Sequence, residues 1–175
     1  MRLLTKSNSL NQRSDRGFTL VEVLVALVVL SVGLLGMAKM VMVSSHSNDS
    51  AYLRSQAVSL GYQALDAMRA NLPASTTGAY ATAMGVMPGA PGGWPAAGCV
   101  SGTCSNSAIA IWDVYAWKWG LSQALPGGTG SIVTTATFPM SATVVVRWDD
   151  SVAQTVFGGA AAPQTNSITL QTVLQ

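Results

Sequence analysis

The sequence predicts an α+β protein in which a long N-terminal membrane-spanning α-helix packs onto a small antiparallel β-sheet head with an extra helix. Three observations carry that prediction. Residues 18–43 form an apolar run interrupted only by Glu22 and Lys39. Residues 44–72 then switch to apolar positions that mostly recur every three or four residues, the period of a one-sided helix. Residues 131–173 finally alternate apolar and polar side chains in the manner of half-buried strands.

Composition narrows the class before any motif is read. Of 175 residues, 49% are hydrophobic and only 9% charged, against about 25% charged in a typical soluble domain. Nine Lys/Arg against seven Asp/Glu cannot build the basic face that a nucleic-acid partner needs, and they exclude a highly charged disordered tail. A well-charged cytosolic enzyme is disfavoured too. Membrane contact, with an exterior of Ser, Thr, Gly and Ala, fits better. The charge is also localised. Residues 1–17 hold Arg2, Lys6, Arg13 and Arg16 against Asp15, four bases to one acid, or +3. Beyond them, Lys39, Arg54, Arg69, Lys118 and Arg147 meet six acids, or −1. A basic head before an apolar run keeps that end in the cytoplasm, which predicts an N-in, C-out orientation.

As a helix rising about 1.5 Å per residue, residues 18–43 reach roughly 39 Å, enough to cross a bilayer. Val and Leu surround this segment instead of striping one side, unlike a surface-lying amphipathic helix. A cleaved secretory signal and a generic single-span anchor compete for the same residues. The run is longer than a usual signal core of about 7–15 residues, and no Ala-x-Ala-type site follows before His46. Lys39 reads as snorkelling at the outer face. Gly33 and Gly36, near Ser31, allow close helix approach, though glycine simply tolerated in lipid fits equally. Glu22 is the expensive feature. A carboxylate at the bilayer centre costs about 3 kcal/mol on insertion scales, less near the interface, so a lone Glu22 would reach for the cytoplasmic headgroups.

Residues 16–22, Arg-Gly-Phe-Thr-Leu-Val-Glu, followed by the apolar run, resemble the class III signal of type IV prepilins. The resemblance implies a leader of residues 1–17, cut after Gly17 on the cytoplasmic side by a prepilin peptidase that also N-methylates the new terminus at Phe18. It places the family's glutamate, fifth in the mature chain, at Glu22. Cleavage ahead of the apolar run leaves the helix attached, strips the +3 leader and bares a cationic amine. Glu22 then has an opposite charge available, and pairing at low dielectric offsets desolvation when the geometry is good. The expectation is that Glu22 contacts the N-terminal amine of an adjacent subunit during filament assembly.

Residues 44–72 read as an outward continuation of the helix, with Ser44–Ser50 a weak point. Ala51, Val58, Tyr62, Leu65, Met68 and Leu72 form the buried stripe, and Pro73 is the stop. Gly61 is about 1 kcal/mol less favourable than Ala in a helix and predicts local flexibility. Residues 73–175 form the head. Within it, residues 73–108, rich in Pro, Gly, Ala, Ser and Thr, read as a long loop with one short strand near Tyr80. Cys99 and Cys104 lie inside. Outside the membrane their spacing suggests a disulfide, stabilising by about 2 kcal/mol for so short a loop, with two free thiols as the alternative. A zinc site needs four ligands, and His46 is the one histidine, so neither metal nor cofactor is expected.

Residues 109–125 read as a second helix, lined by Ile109, Trp112, Ala116, Leu121 and Leu125 and broken by Pro-Gly-Gly-Thr-Gly. Trp112, Trp117 and Trp119 read as packing more readily than as a sugar or membrane-surface platform. Strands follow at 131–138 and 141–148. In the second, Ala142, Val144, Val146 and Trp148 alternate with Thr143, Val145 and Arg147, and Asp149-Asp150 mark a turn. After a Gly-Gly-Ala-Ala-Ala-Pro loop, Ile168, Leu170 and Thr172 alternate with Thr169, Gln171 and Val173.

A long helix leading into a small antiparallel sheet is the pilin-like architecture that the resemblance implies. Three further stretches are similar to the type IV pilus modification proteins, a family of minor pilins: residues 51–57 with Met68-Arg69-Ala70-Asn71, Trp117-Lys118 leading to Leu125-Pro126-Gly127-Gly128, and residues 144–150 ending in Arg-Trp-Asp-Asp. That likeness implies a bacterial inner-membrane protein with a periplasmic head, later part of the pilus, in a priming complex at or near its tip. Its implied partners are the prepilin peptidase/methyltransferase, other minor pilins, the major pilin and the inner-membrane assembly platform. Minor pseudopilins of type II secretion share the leader, glutamate and helix. A C-terminal calcium site would favour some of those, and residues 151–175 contain no acid. A membrane-anchored receptor would leave Gly17 uncut. No enzyme is expected: His46 sits in a polar linker, Asp149 and Asp150 are adjacent, and Gly127-Gly128-Thr129-Gly130 lacks the Lys-Ser/Thr of a phosphate loop.

Overall fold

The computed structural model describes residues 17–85, 88–95, 99, 102–135, 139–151 and 165–174. The leader bases, residues 136–138 of the first expected strand and the Gly-Gly-Ala-Ala-Ala-Pro loop lie outside them. The described elements run α1 (Leu20–Ala70), α2 (Leu72–Thr76), a short 3-10 turn (Pro91–Gly93), α3 (Asn106–Ala124), β1 (Thr129–Thr134), β2 (Met140–Asp149) and β3 (Thr165–Leu174). The chain divides into two compact units, Met1–Val41 and Met42–Gln175.

In the first unit every described side chain is exposed, and α1 is long and apolar enough to cross a membrane. A helix apolar on all sides needs an apolar surrounding, and lipid supplies it. Ser44–Ser50 is not a break: α1 is helical through it.

The second unit is an α+β head. Its part of α1 buries Ala57, Gly61, Ala64, Leu65 and Met68. Leu65 and Met68 were expected there, but Ala51 and Tyr62 are exposed and Val58 and Leu72 only half-buried. The stripe is shifted toward small residues because the sheet comes close. A Cβ added at Gly61 would lie 2.5 Å from Leu170 Cδ1, so this glycine permits close approach and is not a flexible joint. Gly61→Ala gains about 1 kcal/mol of helix propensity but overpacks the contact, at about 1–3 kcal/mol. We expect a net loss of about 1 kcal/mol, read from the urea midpoint of the chain; a raised midpoint would show that Leu170 turns aside freely.

Pro73 does not stop α1, which ends at Ala70. It sits in the first turn of α2, where a missing N–H leaves nothing unpaired. Ser75, fully buried, donates to the Met68 carbonyl at 2.7 Å and so satisfies one of the orphan carbonyls at the end of α1. Tyr80 is buried, and the strand expected near it is a single bridge between Thr82 and Ile132. Helix α3 begins three residues before the expected Ile109 because Ser105 caps it, its side chain accepting from the Ala108 N–H at 3.2 Å.

The buried face of α3 is Ala110, Val114, Trp117, Lys118 and Leu121. Of the expected lining, Leu121 and the adjacent Leu125 are buried, Trp112 and Ala116 are half-buried, and Ile109 is exposed. Apolar residues occur all round this helix, so periodicity could not select a side. Lys118 was not expected inside. It is 3% exposed, and its Nζ donates to the Ala83 carbonyl at 2.6 Å. Burial lowers its pKa from the ordinary lysine value. The unfolded chain therefore holds more protons just below the usual lysine range, and folding stability rises with pH through that window. Denaturation across it should show this upward slope in the wild type and lose it in Lys118→Met.

The sheet is antiparallel with order β1-β2-β3, and Val144 pairs with Ile132 on one side and Leu170 on the other. The strands start or end within a few residues of their expected bounds. Ala142, Val144, Val146 and Trp148 all point inward and are buried, meeting Tyr80, Trp117, Leu121 and Leu125 in one core.

Candidate functional site

The segment ahead of α1 explains why Glu22 stands where it does. Thr19 is the capping residue. Its Oγ1 accepts from the Glu22 N–H at 3.2 Å, and its carbonyl accepts from the N–H groups of Glu22 at 3.1 Å and Val23 at 3.3 Å. Thr-Leu-Val-Glu is the Ser/Thr-x-x-Glu pattern of a helix start, a signal present in the sequence and passed over there. Glu22 lies in the first turn of α1, where unpaired N–H groups and the helix dipole favour a negative charge. Its position therefore serves the helix as well as any partner.

Gly17, Phe18 and Thr19 precede the helix. Among the described residues nothing lies within 4 Å of a Cβ built at Gly17, and Phe18 is 82% exposed. The Gly17–Phe18 bond thus lies in accessible, non-helical chain, as cleavage requires. Phe18, Glu22, Ala26 and Leu30 share one shallow apolar groove along the helix. An amine released at Phe18 would stand one helical turn from the carboxylate, at the end of an exposed apolar rod.

In the head, Cys99 and Cys104 form a disulfide with Cα atoms 5.5 Å apart. The expected Asp149-Asp150 turn proves more specific. Asp149 closes β2, and the Ser151 N–H donating to its carboxylate at 2.9 Å holds it below the usual carboxylate range. Asp150 is 2% exposed. It accepts from Ser50 Oγ of α1 at 2.6 Å and from Asn166 Nδ2 of β3 at 2.9 Å, tying the helix to the sheet. Sequence reading missed this role because adjacency to Asp149 suggested only a turn pair.

A second, part-buried network joins Asn71, between α1 and α2, and Tyr80 to α3. The Tyr80 hydroxyl donates to Asp113 Oδ2 at 2.6 Å, and Asn71 Nδ2 donates to the Asn106 carbonyl at 2.8 Å. Burial first, then the Asp113 hydrogen bond, pushes Tyr80 well above the ordinary phenol range. A cavity of about 90 Å³ lies beside it, lined in part by Gln63, Ala64, Asp113 and Trp117. Of the three tryptophans singled out in α3, Trp117 is core. Trp112 and Trp119 are half-buried and pack with Trp94, their ring centroids 4.9 and 6.4 Å from it. Among the described residues no group of three or more His, Cys, Asp or Glu is placed to hold a metal ion.

Residues 12–38 match the family model described as the prokaryotic N-terminal methylation motif. No curated protein and no solved structure matches the chain. The matched stretch contains Gly17, Phe18 and Glu22. It supports a type IV pilin-like or pseudopilin protein, processed by prepilin peptidase and anchored in a membrane through α1.

Proposed function

We propose that this chain is a minor pilin of the type IV pilus resembling the type IV pilus modification protein PilV. It inserts in the bacterial inner membrane with its N-terminus inside and its head in the periplasm. Prepilin peptidase cuts after Gly17 and methylates Phe18, and the mature chain joins other minor pilins in the priming complex at or near the tip. There it meets the major pilin and the assembly platform. The observation that carries this reading is the methylation motif on a helix whose apolar surface is exposed throughout residues 20–41, in a chain that also has a head with a hydrophobic core of its own. Such a helix finds its apolar contacts first in lipid and then in the helices of other subunits, while the head supplies recognition.

A minor pseudopilin of a type II secretion system is the second reading, since the same N-terminal features serve both. Two measurements test the proposal. Mass determination of the purified protein is expected to find N-methylated Phe18 at its start; an intact Met1 overturns it. Deletion of the chain is expected to abolish piliation and twitching with type II secretion unchanged. Lost secretion with normal pili would instead favour the pseudopilin.

A further inference from the structure

Asp113 brings an unanswered charge to a cavity with room for a ligand. The cavity, about 90 Å³ in volume, lies between α1 and α3. Ala64, Tyr80, Trp117 and Ile132, all buried, make its inner wall. Exposed Gln63 and half-buried Asp113 stand at its outer side. The two carboxylate oxygens of Asp113 differ. Oδ2 accepts from the Tyr80 hydroxyl at 2.6 Å. No described residue donates to Oδ1, and the buried side-chain atoms left without a partner belong to His46, Trp148 and Asp150. Oδ1 of Asp113 is therefore open to solvent.

That oxygen has no counter-charge. Among the described residues no base lines the cavity, and the ion pair they make is Arg69 with Asp66. One open oxygen suits a point charge. A guanidinium fork bonds both oxygens of a carboxylate, and Tyr80 already holds the other. A hard metal ion gathers about six oxygen ligands, more than this lining supplies. Aromatic neighbours such as Tyr80 and Trp117 attract organic ammonium ions. At about 30 Å³ for each water-sized group, the space takes about three heavy atoms, the Cδ, Cε and Nζ of a lysine.

We propose that this cavity receives the ammonium end of a lysine side chain from a different protein, with Asp113 as its counter-ion. A second copy is the poorer donor. The chain has three lysines. Lys6 lies in the leader that the proposed processing removes, Lys39 in the apolar run, and Lys118 is buried. The choice of a different protein rests on that processing, whereas the affinity of the cavity for ammonium does not. An intact Met1 would overturn the processing and leave the affinity unchanged.

The first test titrates n-propylammonium chloride into the purified full chain, with 1-propanol as the neutral molecule of the same size. The indole N–H of Trp117, which donates to the Leu60 carbonyl, reports occupancy through its nuclear magnetic resonance signal. The expected result is a saturable shift with propylammonium. Binding should be at least about tenfold weaker with 1-propanol and in Asp113→Asn, since hydrogen bonds to charged groups exceed neutral ones. Asparagine still accepts from Tyr80, so the network survives, and the 1-propanol comparison needs no variant at all. Equal binding of 1-propanol, or no saturable shift, overturns the proposal. The second test places a photo-crosslinking amino acid at Gln63 of the full chain in cell membranes. The expected adduct joins a different protein beside one of its lysines and is lost when that lysine becomes methionine or when Asp113 becomes asparagine. No adduct, an adduct only to a second copy, or one undiminished by Asp113→Asn overturns the docking. Propylammonium binding without an adduct would leave the cavity to a small free amine instead.

Discussion

Replacing Trp117 by alanine is expected to remove about 3–5 kcal/mol of folding stability, the usual range for a buried aromatic truncated in a core. Trp117 is 4% exposed, and its Nε1 donates to the Leu60 carbonyl at 2.9 Å, so it joins α3 to α1. A Cβ added at Gly130 would strike the Trp117 ring, which means the ring already fills the space above β1. The cavity it lines would enlarge on truncation, and rigid neighbours limit collapse. Small domains hold about 5–15 kcal/mol in all, so a substantial part of the margin would go. Urea denaturation followed by far-ultraviolet circular dichroism measures this directly. Trp112→Ala, on the half-buried outer face, should lose clearly less. Equal losses would show that the aromatic cluster around Trp94 is as much core as the packing beneath it.

Glu22→Ala is expected to leave processing intact and to lower incorporation into filaments by about two orders of magnitude or more. Removing one partner of a desolvated charge pair costs about 3–5 kcal/mol, and each 1.4 kcal/mol is about tenfold in an equilibrium. The cap on α1 offers a competing explanation, since Glu22 also sits in its first turn. Thr19→Ala separates the two. It removes the hydroxyl that accepts from the Glu22 N–H, at about 1 kcal/mol, but leaves the carboxylate. Glu22→Gln keeps the side chain's shape and removes its charge. If charge pairing governs assembly, Gln should fail as badly as Ala and Thr19→Ala should assemble nearly normally. Wild-type incorporation of Glu22→Ala, quantified in sheared filaments, would end the idea.

The N-terminal motif was legible from residue order alone because it is local: among the described residues, none buries Gly17, Phe18 or Glu22. Gly17, Phe18 and Glu22 fall within six residues of one another inside the stretch that matches the methylation motif, so the signal is local. The Thr19 cap is an equally local signal, though it went unread in the sequence. The strands were readable because side-chain alternation has a period of two wherever one face is buried. The buried faces of α1 and α3 were not. In α3, apolar residues lie on both sides, and Trp94 from a distant loop covers one of them. In α1, alanine and glycine sit under the sheet while Tyr62 faces outward, because close approach favours small residues over greasy ones.

What the amino-acid order determined by itself is therefore the anchor, its orientation signal, the processing motif and an α+β head with a disulfide-ready pair of cysteines. Only the folded chain decided that Lys118 and Asp150 lie inside, that Gly61 is a contact point, and that β2 is the central strand of the described sheet. The division has a physical cause. Hydropathy, capping and cleavage motifs are read within one or two helical turns, whereas a buried charge or a central strand is defined by what packs against it from elsewhere in the chain.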